Sequence, residues 1–477
     1  MKTLKILLVT ALGLSLFACS DEKMDEIDME RNDALNMEAG SILPDAILKT
    51  AFETTGCDIA WYATVYIEHS AGTWAQSAVA DKRQAQNDAS LMNNNWNGLY
   101  DVMNELKDIL TKTAPDGTEP ENYWARGIAQ VLTAYNLAVA TDMWGEVPWT
   151  EALMGAEILQ PKYDKQSELY PKIQAMLDDA IVNLGKTVNK IPSADYIYGG
   201  DQNAWIKAAW SLKARYALRL SKINGAAAAT EALNYLANGF QSSDDNFLFD
   251  AFEATASGEN PWYQFLNDRT HLSAGQTLFN LMNERNDPRI AAYFTQIEDA
   301  YNPAPNGTAV ENQGGTYSTS LITENGRTAP IPLMTYHELK FIEAEAKLMK
   351  GDASWAYSFG EAIAANFAFH GVEGAEDYIL NEVAPRIPGN ELKELITQKY
   401  IAFYEFEAIE AYNDYRRTGI PTMHNPNNAT KGFVNRFPFA LSEVSSNPDN
   451  VPSQYLGDEN FVYNYKVWWA GGTELVP

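Results

Sequence analysis

Cysteine and histidine are scarce in this sequence. The 477 residues include two cysteines, Cys19 and Cys57, and five histidines. Two cysteines cannot build a disulfide framework or a cysteine-rich zinc site. None of the histidines lies at metal-ligand spacing from a cysteine or from another histidine. The sequence therefore predicts no metal site.

Positive charge is also in short supply. Lysine and arginine total 35 against 63 aspartates and glutamates, which gives a formal net charge of −28. A chain with this balance has no surplus of cations to replace the counterions of a phosphate backbone, so nucleic acid is excluded as a partner. An acidic surface of this kind suits a ligand that is uncharged or cationic.

The usual sequence signatures of catalysis and of nucleotide binding are missing. The chain has no Gly-x-Ser-x-Gly motif, no P-loop, no Gly-x-Gly-x-x-Gly motif and no EF-hand calcium loop. A glycoside hydrolase needs two carboxylates on either side of the bond that it cleaves. Candidate pairs such as Glu343 with Glu345 and Glu405 with Glu407 are two residues apart on predicted helices, so they point to different faces. We interpret these acids as solvated or helix-capping groups, and we predict no enzymatic activity and no cofactor.

Long hydrophobic runs are confined to the N-terminus. Ile6 to Phe17 forms an apolar run of about twelve residues after a basic start, the length of a signal-peptide core and too short to cross a bilayer. The run ends at Ala18-Cys19, which resembles a bacterial lipobox. Cleavage there would remove residues 1–18 as a lipoprotein signal peptide and leave Cys19 to carry acyl chains, which anchor a protein stably when two or more are present. An ordinary secretory signal with a chance cysteine is the alternative.

Residues 19–40 are predicted to form an acidic, flexible tether. The stretch from Asp21 to Asp33 is polar and rich in carboxylates, a composition typical of segments without stable structure. Ser20-Asp21-Glu22, directly after the lipobox cysteine, is also similar to the surface-export signal of lipoproteins from Bacteroidetes. The two interpretations are compatible.

Helical periodicity dominates the rest of the chain, and we expect residues 41–477 to form a single domain. Apolar residues recur at helical spacing in long segments, several of which occur as antiparallel pairs. The predicted helices cover residues 42–54, 58–69, 94–112, 124–139, 169–184, 205–223, 230–237, 336–349 and 355–369. Repeated helix pairs of this size predict a mostly α-helical, tetratricopeptide-like scaffold, with long loop insertions that form a ligand face.

The apolar pattern is most regular near the C-terminus, between Leu392 and Met423. The spacing of its apolar residues predicts one long helix with a buried stripe that includes Phe403 and Phe406. Gly419 is suited to the left-handed position that follows a helix, and the proline two residues later prevents the helix from resuming.

The same segment carries the string QKYIAFYEFEAIEAYNDYRRTGIP at residues 398–421. This string resembles the C-terminal signature of the SusD/RagB-like nutrient-binding outer-membrane lipoproteins of Bacteroidetes, in the branch with an Asp-Tyr-Arg-Arg-Thr-Gly ending. Other stretches resemble motifs of that family in the same order along the chain. They are WGEVPWTEAL at 144–153, NPWY at 260–263, NDPR at 286–289, RFPF at 436–439 and KVWW at 466–469.

The resemblance implies a function and a location. It implies a lipid-anchored protein exposed at the cell surface of the outer membrane, which captures a nutrient for a SusC-like TonB-dependent transporter and catalyses no reaction. The nutrient implied first is a glycan or oligosaccharide. A peptide-binding protein of the same family is one alternative, and a surface glycoside hydrolase built on helix pairs is another.

Aromatic side chains are the feature of this chain best suited to an uncharged oligomer. A flat ring covers the apolar C–H face of a sugar, and amide, guanidinium or carboxylate groups bond with its hydroxyls. Such platforms are expected on loops rather than on scaffold helices. Three segments combine aromatic and polar residues in this way, and they give the candidate ligand-binding residues Trp74, Trp96, Trp262, Tyr263, Asn267 and Arg269. Each of these tryptophans has a competing interpretation as a core residue, which is strongest for Trp96 because it also heads a helical stripe.

Overall fold

The computed structural model of this protein describes residues 37–186, 190–321 and 326–476. The chain divides into two units, residues 1–38 and residues 39–477, and nearly all described residues belong to the second unit. The predicted signal peptide, Cys19 and most of the predicted tether lie outside the described residues. The first described helix begins at Ala39, just before the predicted start of the domain.

Helices make up most of the described part of the chain. The α-helices are α1 (Ala39–Lys49), α2 (Asp58–Tyr66), α3 (Ala75–Asp81), α4 (Asn93–Lys112), α5 (Tyr123–Trp144), α6 (Gln166–Leu184), α7 (Gln202–Arg219), α8 (Ser221–Asn224), α9 (Ala226–Leu236), α10 (Pro261–Arg269), α11 (Gln276–Asn283), α12 (Ile290–Tyr293), α13 (Tyr336–Met349), α14 (Trp355–Phe369), α15 (Ala375–Tyr378), α16 (Glu391–Ala402), α17 (Ala408–Thr418), α18 (Asn427–Thr430), α19 (Leu441–Ser446), α20 (Ser453–Gly457) and α21 (Phe461–Asn464). Helix α1 continues into a π-helical turn, Thr50–Thr55. Within the described ranges, none of these helices combines the length and the apolar character that a bilayer crossing requires.

The long helices stack side by side. Packing neighbours are α1 with α4, α4 with α5, α5 with α6, α6 with α7, α7 with α9, α9 with α13, and α13 with α14 and α16. Small residues allow the close approach, because a Cβ added at Gly127 of α5 would lie 2.5 Å from the side chain of Leu184 on α6. The mostly α-helical, tetratricopeptide-like scaffold predicted from the helix pairs is confirmed.

Short strands join distant parts of the chain. They are β1 (Ser70–Gly72), β2 (Val147–Pro148), β3 (Tyr163–Asp164), β4 (Phe247–Phe249), β5 (Leu272–Ala274) and β6 (Ile331–Met334). The strands form antiparallel pairs, β1 with β5, β2 with β3, and β4 with β6. The sequence does not reveal them, because strands of two to four residues are too short to show an alternating pattern.

The prediction of one long helix between Leu392 and Met423 is wrong. The segment forms two helices, α16 and α17, separated by a turn in which Glu405 has a φ of 63°. Phe403 is fully buried at the start of this turn, so apolar residues on both sides of the break still face the core. Periodicity therefore cannot distinguish the broken helix from a continuous one. Gly419 takes the left-handed conformation predicted for it, with a φ of 74°.

Several carboxylates of this region are buried, so their interpretation as solvated or capping groups is also wrong. Glu405 is 4% exposed and Glu407 is 6% exposed. Glu407 accepts a hydrogen bond of 2.8 Å from Thr335 Oγ1 and lies 2.6 Å from Nε2 of His337. Glu345 is 1% exposed and belongs to a larger set of buried ion pairs. These acids are buried because partners from distant segments satisfy them.

That set forms a network across five helices, α5, α7, α13, α16 and α17. We define the buried charge network as the bases Arg215, Arg219, Lys399 and Arg417 with the acids Asp142, Glu338, Glu345, Glu410 and Asp414. Arg215 Nε lies 2.7 Å from Glu338 Oε1, and Lys399 Nζ lies 2.7 Å from Asp414 Oδ2. Burial alone would raise the pKa of Asp414, but the charges of Lys399 and Arg417 outweigh this effect and hold the pKa well below its usual range. Because removing one partner of a buried ion pair costs about 3–5 kcal/mol, the network favours a single arrangement of these helices.

The loop that follows α5 is held by Arg436. The Arg436 guanidinium donates a hydrogen bond to the Trp144 carbonyl, and its Nη2 lies 3.0 Å from Oε2 of Glu146. Gly145 has a φ of 83°, and a Cβ there would lie 2.6 Å from Arg436 Nη2. The motifs that contain Trp144 and Arg436 therefore contact each other in the core.

The buried carboxyl group of Glu405 should make the free energy of unfolding depend on pH. Burial raises the pKa of Glu405 to about 8, although hydrogen bonds with Ser320 and Tyr404 act in the opposite direction. The unfolded chain loses this proton near the ordinary pKa of 4.5, so the free energy of unfolding falls as the pH rises from about 4.5 to about 8. Glu405→Gln removes the titrating group, and we expect a smaller decline across this range than in the wild type. Chemical denaturation at mildly acidic and mildly basic pH measures the difference.

Glu284→Gln provides the matched control, because Glu284 is exposed on the surface. This variant should follow the wild-type pH dependence. An equal decline in the wild type and in Glu405→Gln would show that Glu405 does not hold its proton in the folded state.

Candidate functional site

Strands β1 and β5 bring two of the predicted ligand-binding segments together. In this antiparallel pair Ala71 is opposite Ser273, and beyond it the Thr73 N–H donates a hydrogen bond of 2.9 Å to the His271 carbonyl. Trp74 follows at once on the first segment, and α10 ends just before the second. The pairing therefore sets Trp74 beside the C-terminal end of α10.

Helix α10 begins at a well-formed N-cap. The Asn260 side-chain oxygen accepts hydrogen bonds from the N–H groups of Trp262 (2.8 Å) and Tyr263 (3.2 Å). Pro261 occupies the first helical position, where its missing N–H has no cost. The Asn260 amide also donates to the Ala329 carbonyl at 2.9 Å, which fixes this end of the helix to the body of the protein.

A cleft of about 360 Å³ lies between α2 and α10. Its floor is aromatic, since Trp61 of α2 stacks on Phe265 of α10 with ring centroids 3.9 Å apart and an angle of 19° between the planes. Phe52, in the π-helical turn, and Pro261 extend the apolar lining. The polar lining residues are Cys57, Asp58, Gln76, Gln264, Asp268 and Arg269. An apolar floor with a polar rim suits a ligand that has both apolar faces and hydrogen-bonding groups.

Three polar side chains of this cleft are unpaired. The side chains of Asp58, Gln76 and Arg269 form no hydrogen bond or salt bridge with another residue of the described ranges. Burial raises the pKa of Asp58 to about 6, the negative charge of Glu53 adds to the rise, and Arg269 opposes it. The rim therefore offers a carboxylate, an amide and a guanidinium to a ligand.

Trp74 stands next to the cleft with its ring partly in solvent. The residue is 38% exposed and has an extended backbone just before α3, whose second residue, Gln76, lines the cleft. A loop on the far side is tied to both segments. The Asn312 N–H donates to the Thr73 carbonyl at 2.8 Å, and the Gln313 side chain donates to the Arg269 carbonyl at 2.9 Å. Trp74 is thus held in place by its backbone while its ring remains accessible.

A family model described as SusD-like, starch-binding and associating with the outer membrane matches residues 32–439. This match covers most of the sequence, including every element that lines the cleft. The chain belongs to the SusD-like family. None of the curated proteins compared with it is a significant match.

Solved structures agree with this assignment. A SusD/RagB family protein from Bacteroides thetaiotaomicron is 33% identical, with a TM-score of 0.85, over 92% of this chain and 100% of the other. A chitin-binding SusD homolog from Flavobacterium johnsoniae is 23% identical, with a TM-score of 0.74, over 90% of this chain and 99% of the other. A SusD-like protein from Bacteroides thetaiotaomicron is 23% identical, with a TM-score of 0.76, over 90% of this chain and 98% of the other. The last two comparisons show a shared fold.

Four of the predicted ligand-binding residues of this SusD-like chain lie on α10, a helix rather than the expected loop. Asn267 and Arg269 are exposed near its C-terminal end, and Tyr263 is half-buried, with the Arg327 guanidinium 6.0 Å from its ring centroid. Trp262 is 1% exposed, so no face of its ring is open to a ligand. Its burial follows from the N-cap, because the first turn of α10 points this side chain inward. We therefore assign Trp262 to the core.

Trp96 is also a core residue of this SusD-like protein. The residue is 4% exposed and lies in the first turn of α4, not in a loop. Its ring meets the Trp144 ring edge to face at 5.3 Å and packs against Tyr100 at 4.9 Å. The polar neighbours that suggested a binding loop instead hold a C-terminal segment, since Asn93 accepts a hydrogen bond of 2.8 Å from the Ser442 N–H. Trp96 therefore contacts core residues and does not line the cleft, and we assign it to the core.

Several residues that line the cleft were not predicted from the sequence, namely Phe52, Asp58, Trp61 and Phe265. The signal was weak, because Trp61 and Phe265 belong to helical stripes that equally predict a core. One clue was present in Asp58, an acid at the first position of a helix whose other residues are almost all apolar. Among the described residues, no group of three or more His, Cys, Asp or Glu side chains is arranged to hold a metal ion.

Proposed function

We propose that this SusD-like protein binds an oligosaccharide in the cleft between α2 and α10 and delivers it to a SusC-like TonB-dependent transporter. The observation that carries the proposal is the cleft itself, with the stacked floor of Trp61 and Phe265 and the exposed ring of Trp74 beside it. Flat aromatic surfaces cover the apolar faces of sugar rings at low entropic cost. The description of the family as starch-binding and the chitin-binding homolog both support a glycan as the ligand.

The proposed activity is capture without cleavage. Asp58 is the carboxylate of the cleft with the strongest departure from its ordinary behaviour, and its raised pKa follows from burial and from the charge of Glu53. Raised carboxyl pKa values also occur in glycosidases, where a second carboxylate lies across the scissile bond. Release of new reducing ends from glycans, abolished by Asp58→Asn, would contradict capture without cleavage and favour the hydrolase alternative.

The proposed location is the outer surface of the outer membrane. Residues 1–18 would direct export, Cys19 would carry the lipid, and residues 19–40 would form the tether of a ligand-binding domain at residues 41–477. The support comes from the lipobox resemblance, the acidic residues after it, and a family description that includes association with the outer membrane. Anchoring by lipid would keep the cleft close to a transporter in the same membrane.

The binding proposal predicts that Trp74→Ala weakens glycan binding without loss of stability. Stacking of one aromatic ring on a nucleic-acid base contributes about 1–3 kcal/mol, and we take that range for a sugar ring. The dissociation constant should therefore rise about tenfold, which corresponds to about 1.4 kcal/mol. Calorimetric titration with hexamers derived from starch and from chitin measures this change. Because these ligands are neutral, their binding should change little with salt.

Trp262→Ala is the matched contrast for Trp74→Ala. Its ring is buried, so its removal should lower the free energy of unfolding by about 3–5 kcal/mol. Trp74→Ala should melt like the wild type because its ring is partly in solvent. Wild-type affinity together with early melting in Trp74→Ala would place this ring in the core and contradict the proposed site.

The location proposal predicts that Cys19→Ala abolishes anchoring. The variant should remain uncleaved by the lipoprotein signal peptidase or be released from the membrane, and it should not incorporate palmitate. Neutral replacements of Ser20-Asp21-Glu22 should keep the lipid but reduce cleavage by protease added outside the cell. Normal membrane retention and palmitate labelling of Cys19→Ala would refute the lipobox assignment.

A further inference from the structure

A second, larger cleft of about 680 Å³ lies on the other side of Phe52. Helix α1 contributes Pro44 and Leu48 to its lining, and the segment after β4 contributes Phe252. Tyr196 closes another side, with 47% of its surface exposed. This cleft therefore presents apolar and aromatic surface that no other described residue covers.

The two clefts adjoin at Phe52. Phe52 lines both of them. Glu259 lines the larger cleft and Pro261 lines the smaller one, so the chain passes from one to the other within a single turn. We call the two clefts together the groove. Its aromatic surfaces run from Tyr196 through Phe52 to Trp61, which suits an extended ligand of several rings.

The basic residues at the larger cleft are already paired. Lys49 Nζ lies 2.9 Å from Oδ2 of Asp45 and also forms a salt bridge with Glu105. Arg327 Nε lies 2.7 Å from Oε2 of Glu259. Both cations are therefore engaged by other acids, although the charge of Lys49 also acts on Glu53, where burial raises the pKa and Lys49 lowers it.

Three acids of the groove have no such partner. Glu53, Asp58 and Glu253 form no hydrogen bond or salt bridge through their side chains with another residue of the described ranges. Burial raises the pKa of Glu53, which Lys49 opposes, and it raises the pKa of Asp58, where the charge of Glu53 adds to the rise and Arg269 opposes it. Among the described residues that line the groove, Arg269 is the one base whose side chain forms no salt bridge or hydrogen bond. The groove thus carries a surplus of negative charge at the point where its two halves meet.

We propose that the groove selects an oligosaccharide that carries protonated amines, that is, a chain of amino sugars with free amino groups. The proposal rests on the proposed function, because it takes the same cleft as the glycan site and names the class of glycan. An ammonium group near Glu53 and Asp58 relieves the repulsion between the two carboxylates, whereas a neutral sugar leaves it in place. The aromatic surfaces on either side favour rigid rings with flat apolar faces over a flexible basic peptide.

The test compares two hexamers that differ in charge, glucosamine hexamer and N-acetylglucosamine hexamer. Calorimetric titration of the purified full chain at near-neutral pH and low salt should show about tenfold tighter binding of the glucosamine hexamer, which corresponds to about 1.4 kcal/mol. High salt should reduce this preference, because screening weakens the binding of the charged hexamer and leaves that of the neutral hexamer nearly unchanged. Glu53→Gln and Asp58→Asn should each reduce the preference, while Asp116→Asn, an exposed acid outside the groove, should retain it.

The outcomes separate this inference from the proposed function. Equal affinities for the two hexamers, with both weakened by Trp74→Ala, would overturn the amine preference and leave glycan binding in the cleft intact. Binding of hexalysine but of neither sugar, sensitive to Glu53→Gln, would overturn both and assign the groove to a basic peptide. The amine preference would also be overturned as a property of the groove if it persisted unchanged in Glu53→Gln and Asp58→Asn, with normal melting temperatures. The negative charge that attracts the amines would then lie outside the groove.

Discussion

Buried ion pairs between α5, α7, α13, α16 and α17 hold the helical scaffold in one arrangement. Within this network each carboxylate has a base close to it, and Trp469 adds a ring that lies 5.4 Å from the Arg219 guanidinium and 4.9 Å from that of Arg416. Charges buried in this way are costly unless they are paired, so the network tolerates little change in the spacing of its helices. Glu53 and Asp58 of the groove contrast with it, because they are partly buried and their side chains form no hydrogen bond or salt bridge in the described ranges. Paired acids hold the scaffold, and we propose that the acids of the groove meet a ligand.

The same scaffold positions the cleft through a short series of contacts. Helix α17, which supplies part of the network, packs against α2, with the Tyr412 and Tyr66 ring centroids 5.9 Å apart. Helix α2 carries one wall of the cleft. The opposite wall, α10, is fixed by the Asn260 N-cap at one end and by the pairing of β1 with β5 just beyond the other. A binding site that is already rigid before the ligand arrives loses little conformational entropy on binding, which lowers the entropic cost.

The helices of the scaffold were predictable from sequence, whereas the cleft was predictable only in part. Long apolar periodicities determine where helices form, and the predicted pairs are those found. The break at Glu405 was hidden because the apolar stripe continues in phase across the turn. The mixture of aromatic and polar residues predicted Trp74, Asn267 and Arg269, which are exposed and of which Arg269 lines the cleft, but the same mixture pointed to Trp96, whose polar neighbours bind another part of the protein. Which face of a helix meets solvent depends on contacts between segments far apart in sequence, and a single sequence does not contain that information.

A crystal structure of the protein with N-acetylglucosamine hexamer or a starch-derived hexamer tests the central claim most directly. We expect sugar rings between α2 and α10, with one ring over Phe52 or the Trp61–Phe265 floor and another against Trp74. The hydroxyl groups should meet Asp58, Gln76 or Arg269. Sugar bound at any other surface, with the cleft holding only water, would contradict the account.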